Sequence, residues 1–168
     1  KLEELSDEFP GITCTESAIE LAEMCDVILL AVKPQYLGEI IEEIYDELNG
    51  KAVISVAAGW TVAQLGAALQ GSGATYLRAM PNTPAMVGEG MTAICEDTTF
   101  DQDDFDFAKG IFDAVGRTVV LPEKLFEGVT GTADHIELTV DDATMKNLYS
   151  KAIGEAIGEE MDDLSNIT

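Results

Sequence analysis

Continuous apolar runs alternate with apolar residues at helical spacing along most of this chain. The segments 27–32 and 52–56 contain no charged residue, which is typical of strands buried on both faces of a parallel sheet. Between them, five apolar side chains recur every three or four positions and predict a helix over residues 36–48: Leu37, Ile40, Ile41, Ile44 and Leu48. The pattern therefore predicts a strand–helix–strand unit with parallel strands.

The same alternation predicts elements over most of the remaining chain. Helices are expected at residues 2–9, 18–25, 62–69 and 103–115, and strand-like runs cover residues 12–15, 74–79, 91–95 and 118–121. Ser17 and Thr61 are placed to cap two of these helices. Because crossovers between parallel strands are right-handed, this order predicts an α/β fold with a doubly wound, mostly parallel sheet. We expect a partial Rossmann-type domain over residues 1–122 and an acidic helical tail over residues 123–168.

Three segments follow predicted strands at their carboxyl ends, where a doubly wound sheet binds its ligands. They are residues 31–34, 57–59 and 80–84. Small residues at 57–59 would let a flat ligand approach the backbone, although tight packing would explain them equally well. Lys33 is the one cation among these segments, and its alternative role is that of a solvated surface lysine. The sequence therefore predicts one ligand site built from three loops.

The third segment opens a loop of unusual composition, residues 80–92. Pro81 and Pro84 restrict the backbone, the two residues between them offer side-chain hydrogen bonds, and Gly88 and Gly90 allow angles closed to other residues. Such a loop is stiff and polar within an apolar frame. An ordinary turn at the end of a strand is the alternative interpretation.

Charge and composition restrict the function further. The net charge is −23, from 9 basic and 32 acidic residues, and this repels nucleic acid. No apolar run approaches the roughly 18 residues of a membrane span, so no membrane contact is expected. The cysteines Cys14, Cys25 and Cys95 are too widely spaced for zinc or a disulfide framework, which indicates a reducing cytoplasm. His135 is the single histidine, and no metal site is expected. Because the first residue is Lys1, we expect a processed protein or a piece of a longer one.

The segments 31–35, 55–59, 78–85 and 88–92 together resemble those of pyrroline-5-carboxylate reductases, over residues 2–131. The resemblance implies NAD(P)H-dependent reduction of 1-pyrroline-5-carboxylate, a small-molecule substrate, to proline. It places the cofactor, NADPH or NADH, against Ala31, Val32, Lys33, Pro34, Ala57, Ala58, Gly59 and Glu123, and the substrate side at Met80, Pro81, Asn82 and Thr83. For Glu123, an exposed glutamate at a helix start is the alternative. No catalytic side chain is assigned, because hydride transfer requires orientation and exclusion of water more than a protein base.

The chain also departs from that family. Its phosphate-binding Gly-x-Gly-x-x-Gly turn has no counterpart here, and the glycines at 71–73 and 88–90 do not open such a turn. After Gly131 the helical domain that holds the substrate is not recognisable. We therefore expect weak cofactor binding and no reductase activity from this chain by itself. The alternative function is a non-catalytic assembly or regulatory module that retains the fold.

The tail carries a signal of its own over residues 142–164. Eight apolar residues recur there at helical spacing, opposite a row of acids: Met145, Tyr149, Ala152, Ile153, Ala156, Ile157, Met161 and Leu164. Such a stripe would either cover a face of the sheet or pair with a second copy of the chain. We expect a homo-oligomer formed through this C-terminal helix.

Overall fold

The computed structural model describes residues 2–126, which form an α/β fold of two compact units, residues 2–76 and 77–126. The helices are α1 (Leu2–Glu8), α2 (Ala18–Met24), α3 (Pro34–Glu43), α4 (Val62–Ala68) and α5 (Gln102–Asp113). The strands are β1 (Val27–Leu30), β2 (Ala52–Ser55), β3 (Thr75–Pro81), β4 (Gly90–Cys95) and β5 (Gly116–Leu121). Short 3-10 helices cover Tyr45–Glu47, Thr83–Val87 and Glu123–Leu125.

The first unit is built around the parallel pair of β1 and β2. Val27 lies opposite Ala52, and Leu30 lies opposite Ser55. At the other side of β2, the Thr75 amide donates to the Lys51 carbonyl at 3.0 Å, where β3 begins. One apolar core joins these strands to α2, α3 and α4: Ala22, Ile28, Leu30, Leu37, Ile41, Ile44, Leu48, Val53, Ala57, Leu65 and Leu69. The helices of this unit thus hold the carboxyl ends of β1 and β2 in place.

The second unit combines one antiparallel and one parallel strand pair. The end of β3 runs antiparallel to β4, with Met80 opposite Ala93, and β4 runs parallel to β5, with Gly90 opposite Gly116. Helix α5 connects β4 to β5 and buries Ala108 and Phe112. Only eight residues join β3 to β4, too few for a parallel crossover, which needs about a dozen or more. The sheet is therefore mixed, although mostly parallel.

The α/β fold class with a mostly parallel sheet is confirmed. Ser17 and Thr61 cap α2 and α4 as expected, each accepting a backbone N–H through its side chain. The strand expected at residues 12–15 is wrong, because this segment pairs with no strand of the described residues, and Ile12 is about half exposed. The helix expected to reach Leu48 ends at Glu43 and is followed by a 3-10 turn. Four of the five stripe residues are nevertheless buried, and Ile40 is half-buried.

Several expectations concern residues outside the described range. These are the helical tail, self-association through residues 142–164, and the absence of a metal site at His135. The domain boundary at residue 122 stays a prediction. Within residues 2–126, no helix has the length and apolar character needed to cross a membrane, and no group of three or more His, Cys, Asp or Glu side chains is placed to hold a metal ion.

Candidate functional site

Two of the three predicted loops meet in the first unit. Because β1 and β2 are parallel with Leu30 opposite Ser55, the residues that follow them leave the sheet at the same edge. The Val56 amide donates to the Leu30 carbonyl at 3.3 Å and extends this pairing by one residue. We call the segments Ala31–Pro34 and Ala57–Gly59 the rim. The parallel register of β1 and β2 places the seven rim residues at one edge of this strand pair.

Trp60 ties the two halves of the rim together. Its indole Nε1 donates to the Pro34 carbonyl at 3.0 Å, and its six-membered ring lies 3.8 Å from the position that a Cβ at Gly38 would take. Trp60 follows Gly59 directly, so this bond joins the loop after β2 to the start of α3. The rim is thereby held by a contact between side chain and backbone that the sequence does not reveal.

The second rim segment has a tight backbone and an open outer surface. Ser55 is buried, and its hydroxyl accepts from the Ala57 amide at 3.3 Å. Gly59 has φ +81°, and a Cβ built on it would meet no atom within 4 Å, so the chain requires glycine here while leaving space above it. Thr61 then starts α4 with a capping box formed with Gln64.

Exposure shows which rim residues a ligand could touch. Ala31, Lys33, Pro34, Ala58 and Gly59 are exposed, whereas Val32 is half-buried and Ala57 is buried. Lys33 is the N-cap residue of α3, so a positive charge stands at the amino end of that helix. A surface of small residues beside one cation suits a flat, anionic ligand such as a dinucleotide.

The third predicted loop lies in the second unit, between β3 and β4. Met80 and Pro81 are the last residues of β3 and are half-buried, as is Asn82, whereas Thr83 is exposed. The Asn82 side-chain oxygen accepts from the Met91 amide at 2.9 Å and closes the base of the loop. We call residues 82–89 the Asn82 loop.

Two glycines at the base of the Asn82 loop allow backbones to pack directly. A Cβ at Gly90 would lie 2.8 Å from Ala85 and 2.9 Å from the Val115 carbonyl oxygen, and a Cβ at Gly116 would overlap the backbone of Gly90. The Gly88 and Glu89 amides bond back to carbonyls within the loop. These packing and hydrogen-bond contacts are those that a stiff loop requires, as its composition predicts. At its tip, Met86 is 87% exposed and contributes nothing to the core.

Glu123 lies in the second unit, where it is engaged by a buried arginine that the sequence analysis missed. Arg78 is 3% exposed, and its Nη1 lies 2.9 Å from Glu123 Oε1. The ring of the buried Phe126 lies 4.7 Å from the guanidinium carbon, and the Glu123 amide donates to Asp97 Oδ2 at 3.0 Å. The signal for this cluster was a single charge inside the apolar run of β3, since a charge in such a position requires a partner.

Cys95 lies next to this cluster and has an unreactive thiol. It is fully buried on β4. Burial raises the pKa of its thiol to about 11. A hydrogen bond to Asp97 and the charge of Arg78 oppose this rise, whereas the negative charges of Asp97 and Glu123 add to it. A thiol with such a pKa stays protonated at neutral pH and is a poor nucleophile.

A shallow groove of about 230 Å³ also opens in the second unit. Its walls come from the ends of β4 and β5 and from the start of α5: Glu96, Thr98, Phe100, Asp101, Gln102, Phe105 and Val120. None of the predicted site residues lines it.

Comparison with known proteins identifies the family. A family model described as NADP oxidoreductase, coenzyme F420-dependent, matches residues 1–59. Pyrroline-5-carboxylate reductase of Synechocystis sp. (strain ATCC 27184 / PCC 6803 / Kazusa) is 41% identical over 114 residues, or 68% of this chain and 42% of the relative. The enzyme of that name from Escherichia coli K12 is 39% identical over 134 residues, or 79% and 49% of the two chains. The chain belongs to the pyrroline-5-carboxylate reductase family.

A solved structure agrees with this membership. Plasmodium falciparum pyrroline carboxylate reductase with NADP bound is 28% identical, with a TM-score of 0.66 over 86% of this chain and 52% of that one. The chain spans about half the length of the curated pyrroline-5-carboxylate reductases it matches. The resemblance carried by the four sequence segments is thereby confirmed.

Proposed function

We propose that this chain supplies the cofactor-binding face of an NAD(P)H-dependent reductase that converts 1-pyrroline-5-carboxylate to proline. The observation that carries the proposal is the rim, whose two segments leave β1 and β2 at one edge and are joined by the bond from Trp60 to Pro34. Family membership supports the reaction, and the NADP in the Plasmodium falciparum relative supports the cofactor. Ligands of α/β sheets bind beyond the carboxyl ends of the strands, which is where the rim lies.

The rim residues fit the cofactor in shape and charge. The space above Gly59 and the small side chains of Ala31 and Ala58 would allow a flat group to approach the backbone. Lys33 and the amino end of α3 would attract its phosphates, which the net charge of −23 otherwise repels. When bound, the reduced nicotinamide supplies the hydride. The rim itself binds and orients.

The remaining predicted residues take subordinate roles in this proposal. Met80, Pro81, Asn82 and Thr83 would face the substrate side, because they form the start of a stiff, partly polar loop. Glu123 is a weaker candidate for cofactor contact, since one of its carboxylate oxygens already binds Arg78. The proposed cytoplasmic location rests on the odd number and wide spacing of the three cysteines in the sequence. The name shared by the relatives favours the reductase over a non-catalytic assembly module.

A charge introduced at the rim tests the proposal. Ala58→Glu puts a carboxylate on the exposed rim, where it would repel an anionic cofactor. Like charges about 4 Å apart near a protein surface repel by about 4 kcal/mol at most, and about 1.4 kcal/mol already weakens binding tenfold. The readout is the fluorescence of Trp60, the single tryptophan, during titration with NADPH and with NADH. We expect a saturable change in the wild-type chain and at least tenfold weaker binding in the variant.

The matched control is Ala67→Glu, which adds the same charge on the exposed side of α4. This variant should bind like the wild type. Equal affinities for both variants would show that the cofactor does not lie on the rim. No saturable change with either cofactor in the wild-type chain would overturn the proposal as a whole.

A further inference from the structure

The Asn82 side chain does not make the capping hydrogen bond that its position at the start of a helix would allow. Asn82 is the N-cap residue of the 3-10 helix Thr83–Val87, yet its side chain makes no capping hydrogen bond. It reaches instead to the Met91 amide, nine residues later, at 2.9 Å. An amide N–H can only donate, so the carbonyl end of Asn82 must point at Met91. The orientation of this side chain therefore follows from its partner.

The other end of the same side chain is its NH₂ group, Nδ2. Within residues 2–126, no group accepts a hydrogen bond from Asn82 Nδ2, and this atom is not among the fully buried ones. The side-chain amide is planar, so once its oxygen is held its NH₂ group has a set direction. Asn82 is half-buried as a residue, and its NH₂ group is a directed donor.

The Asn82 loop keeps this donor in place. Pro81 and Pro84 stand on either side of the Asn82–Thr83 pair, and the loop base is closed by the packing of Ala85 against Gly90. The Asn82 carbonyl also accepts from the Ala85 amide at 3.1 Å. Backbone and side chain of Asn82 are thus both held, which lowers the entropy lost when a ligand binds.

We propose that the two ends of the Asn82 amide have separate tasks: Oδ1 holds the loop through Met91, and Nδ2 donates to a carbonyl or carboxylate oxygen of the bound ligand. This rests on the proposed function, which supplies two such oxygens, one on the carboxylate of the imino acid and one on the carboxamide of the nicotinamide. Asn82 therefore has two roles: it positions the loop, and it favours a ligand that presents an oxygen acceptor to Nδ2.

Two substitutions separate the tasks. Asn82→Asp has the same shape and keeps an acceptor for Met91, but it loses the NH₂ donor and adds a negative charge. Asn82→Ala removes both ends. Asn49→Asp is the matched control, because it makes the same change at an exposed turn in the first unit. Hydrogen exchange of the Met91 amide reports on the loop, and titration with NADPH and with L-proline, the product, reports on the donor.

For the loop, we expect exchange at Met91 to be as slow in Asn82→Asp as in the wild type and several-fold to tenfold faster in Asn82→Ala, the range for one hydrogen bond. Unchanged exchange in Asn82→Ala would refute the positioning task, whatever the function of the protein.

For the donor, Asn82→Asp should weaken one ligand by tenfold or more, because a donor to a charged or carbonyl oxygen becomes a repelling acceptor. Weaker NADPH binding would identify the carboxamide as the acceptor, and weaker proline binding would identify the carboxylate. Wild-type affinity for both ligands in Asn82→Asp would refute the donor task while leaving the proposed function standing. A wild-type chain that binds neither ligand would overturn the proposed function and the donor task together, and the exchange experiment would still decide the loop.

Discussion

Loss of the ion pair between Arg78 and Glu123 should lower the free energy of unfolding more than loss of any other ion pair among the described residues of the second unit. The Arg78 side chain is 4% exposed and that of Glu123 is 25% exposed, with 2.9 Å between Nη1 and Oε1. Glu123→Ala would leave the buried guanidinium without its counter-charge, and Arg78 Nε already has no hydrogen-bond partner within residues 2–126. Breaking a fully buried pair costs about 3–5 kcal/mol. Since Glu123 is partly hydrated, we expect a loss of about 2 kcal/mol in the free energy of unfolding.

The expected loss corresponds to a decrease of about 4–8 °C in the melting temperature of a chain of this size. Urea unfolding followed by circular dichroism measures it directly. The control is Lys109→Ala, which breaks a shorter but exposed ion pair with Asp113, at 2.6 Å and with side chains 40% and 41% exposed. Because water screens that pair, its loss should cost about 0.5 kcal/mol or less.

A double variant sharpens the same test. In Arg78→Leu with Glu123→Ala, no charge is left unpaired, and replacement of a buried pair by apolar residues is often nearly neutral. The double variant should therefore be more stable than Glu123→Ala alone. Two results would refute the reasoning from burial. One is a loss of stability in Glu123→Ala no larger than that in Lys109→Ala. The other is a double variant that is less stable than Glu123→Ala alone.

Two further predictions concern β4 and β5. Gly116→Ala should lower the free energy of unfolding by about 1–3 kcal/mol, because the new Cβ would overlap the backbone of Gly90. Gly110 lies on α5, where a Cβ would meet no atom within 4 Å. Gly110→Ala should therefore raise the free energy of unfolding by about 0.5–1 kcal/mol, and the same urea titration measures both changes. The pKa of Cys95 is about 11 when folded against 9.0 as the ordinary value, so its contribution to stability is complete below pH 9.0 and should be lost as pH rises to about 11. Cys95→Ala should remove that part of the pH dependence, and an unchanged profile would contradict the assigned burial.

The sequence predicted the strands of the first unit well. The charge-free runs at β1 and β2 lie almost where they were expected, and the loops after them meet at one edge because parallel strands share a direction. The strand expected at residues 12–15 failed, since β-branched residues form a strand only when a neighbouring strand satisfies their backbone hydrogen bonds. The antiparallel β4 could have been predicted from the shortness of the connection after Pro81.

Contacts between distant residues account for what the sequence did not reveal. Glu123 was assigned to the cofactor by resemblance, while its partner Arg78 lies 45 residues earlier in the chain. No local pattern connects the two, because only the folded second unit brings a buried guanidinium to that carboxylate. The same holds for Trp60 and Pro34, which are 26 residues apart.

Caps, buried strands and the composition of the Asn82 loop are local properties, and they were readable because propensity and hydrophobic period act over a few residues. Three other features depend on distances set by packing: which end of the Asn82 amide bonds within the loop, which glutamate pairs with Arg78, and how closely Gly90 and Gly116 approach each other. Only the tertiary structure decided these features. A hydrogen bond or a steric overlap forms or disappears over a fraction of an ångström, and a residue pattern does not specify distances that finely.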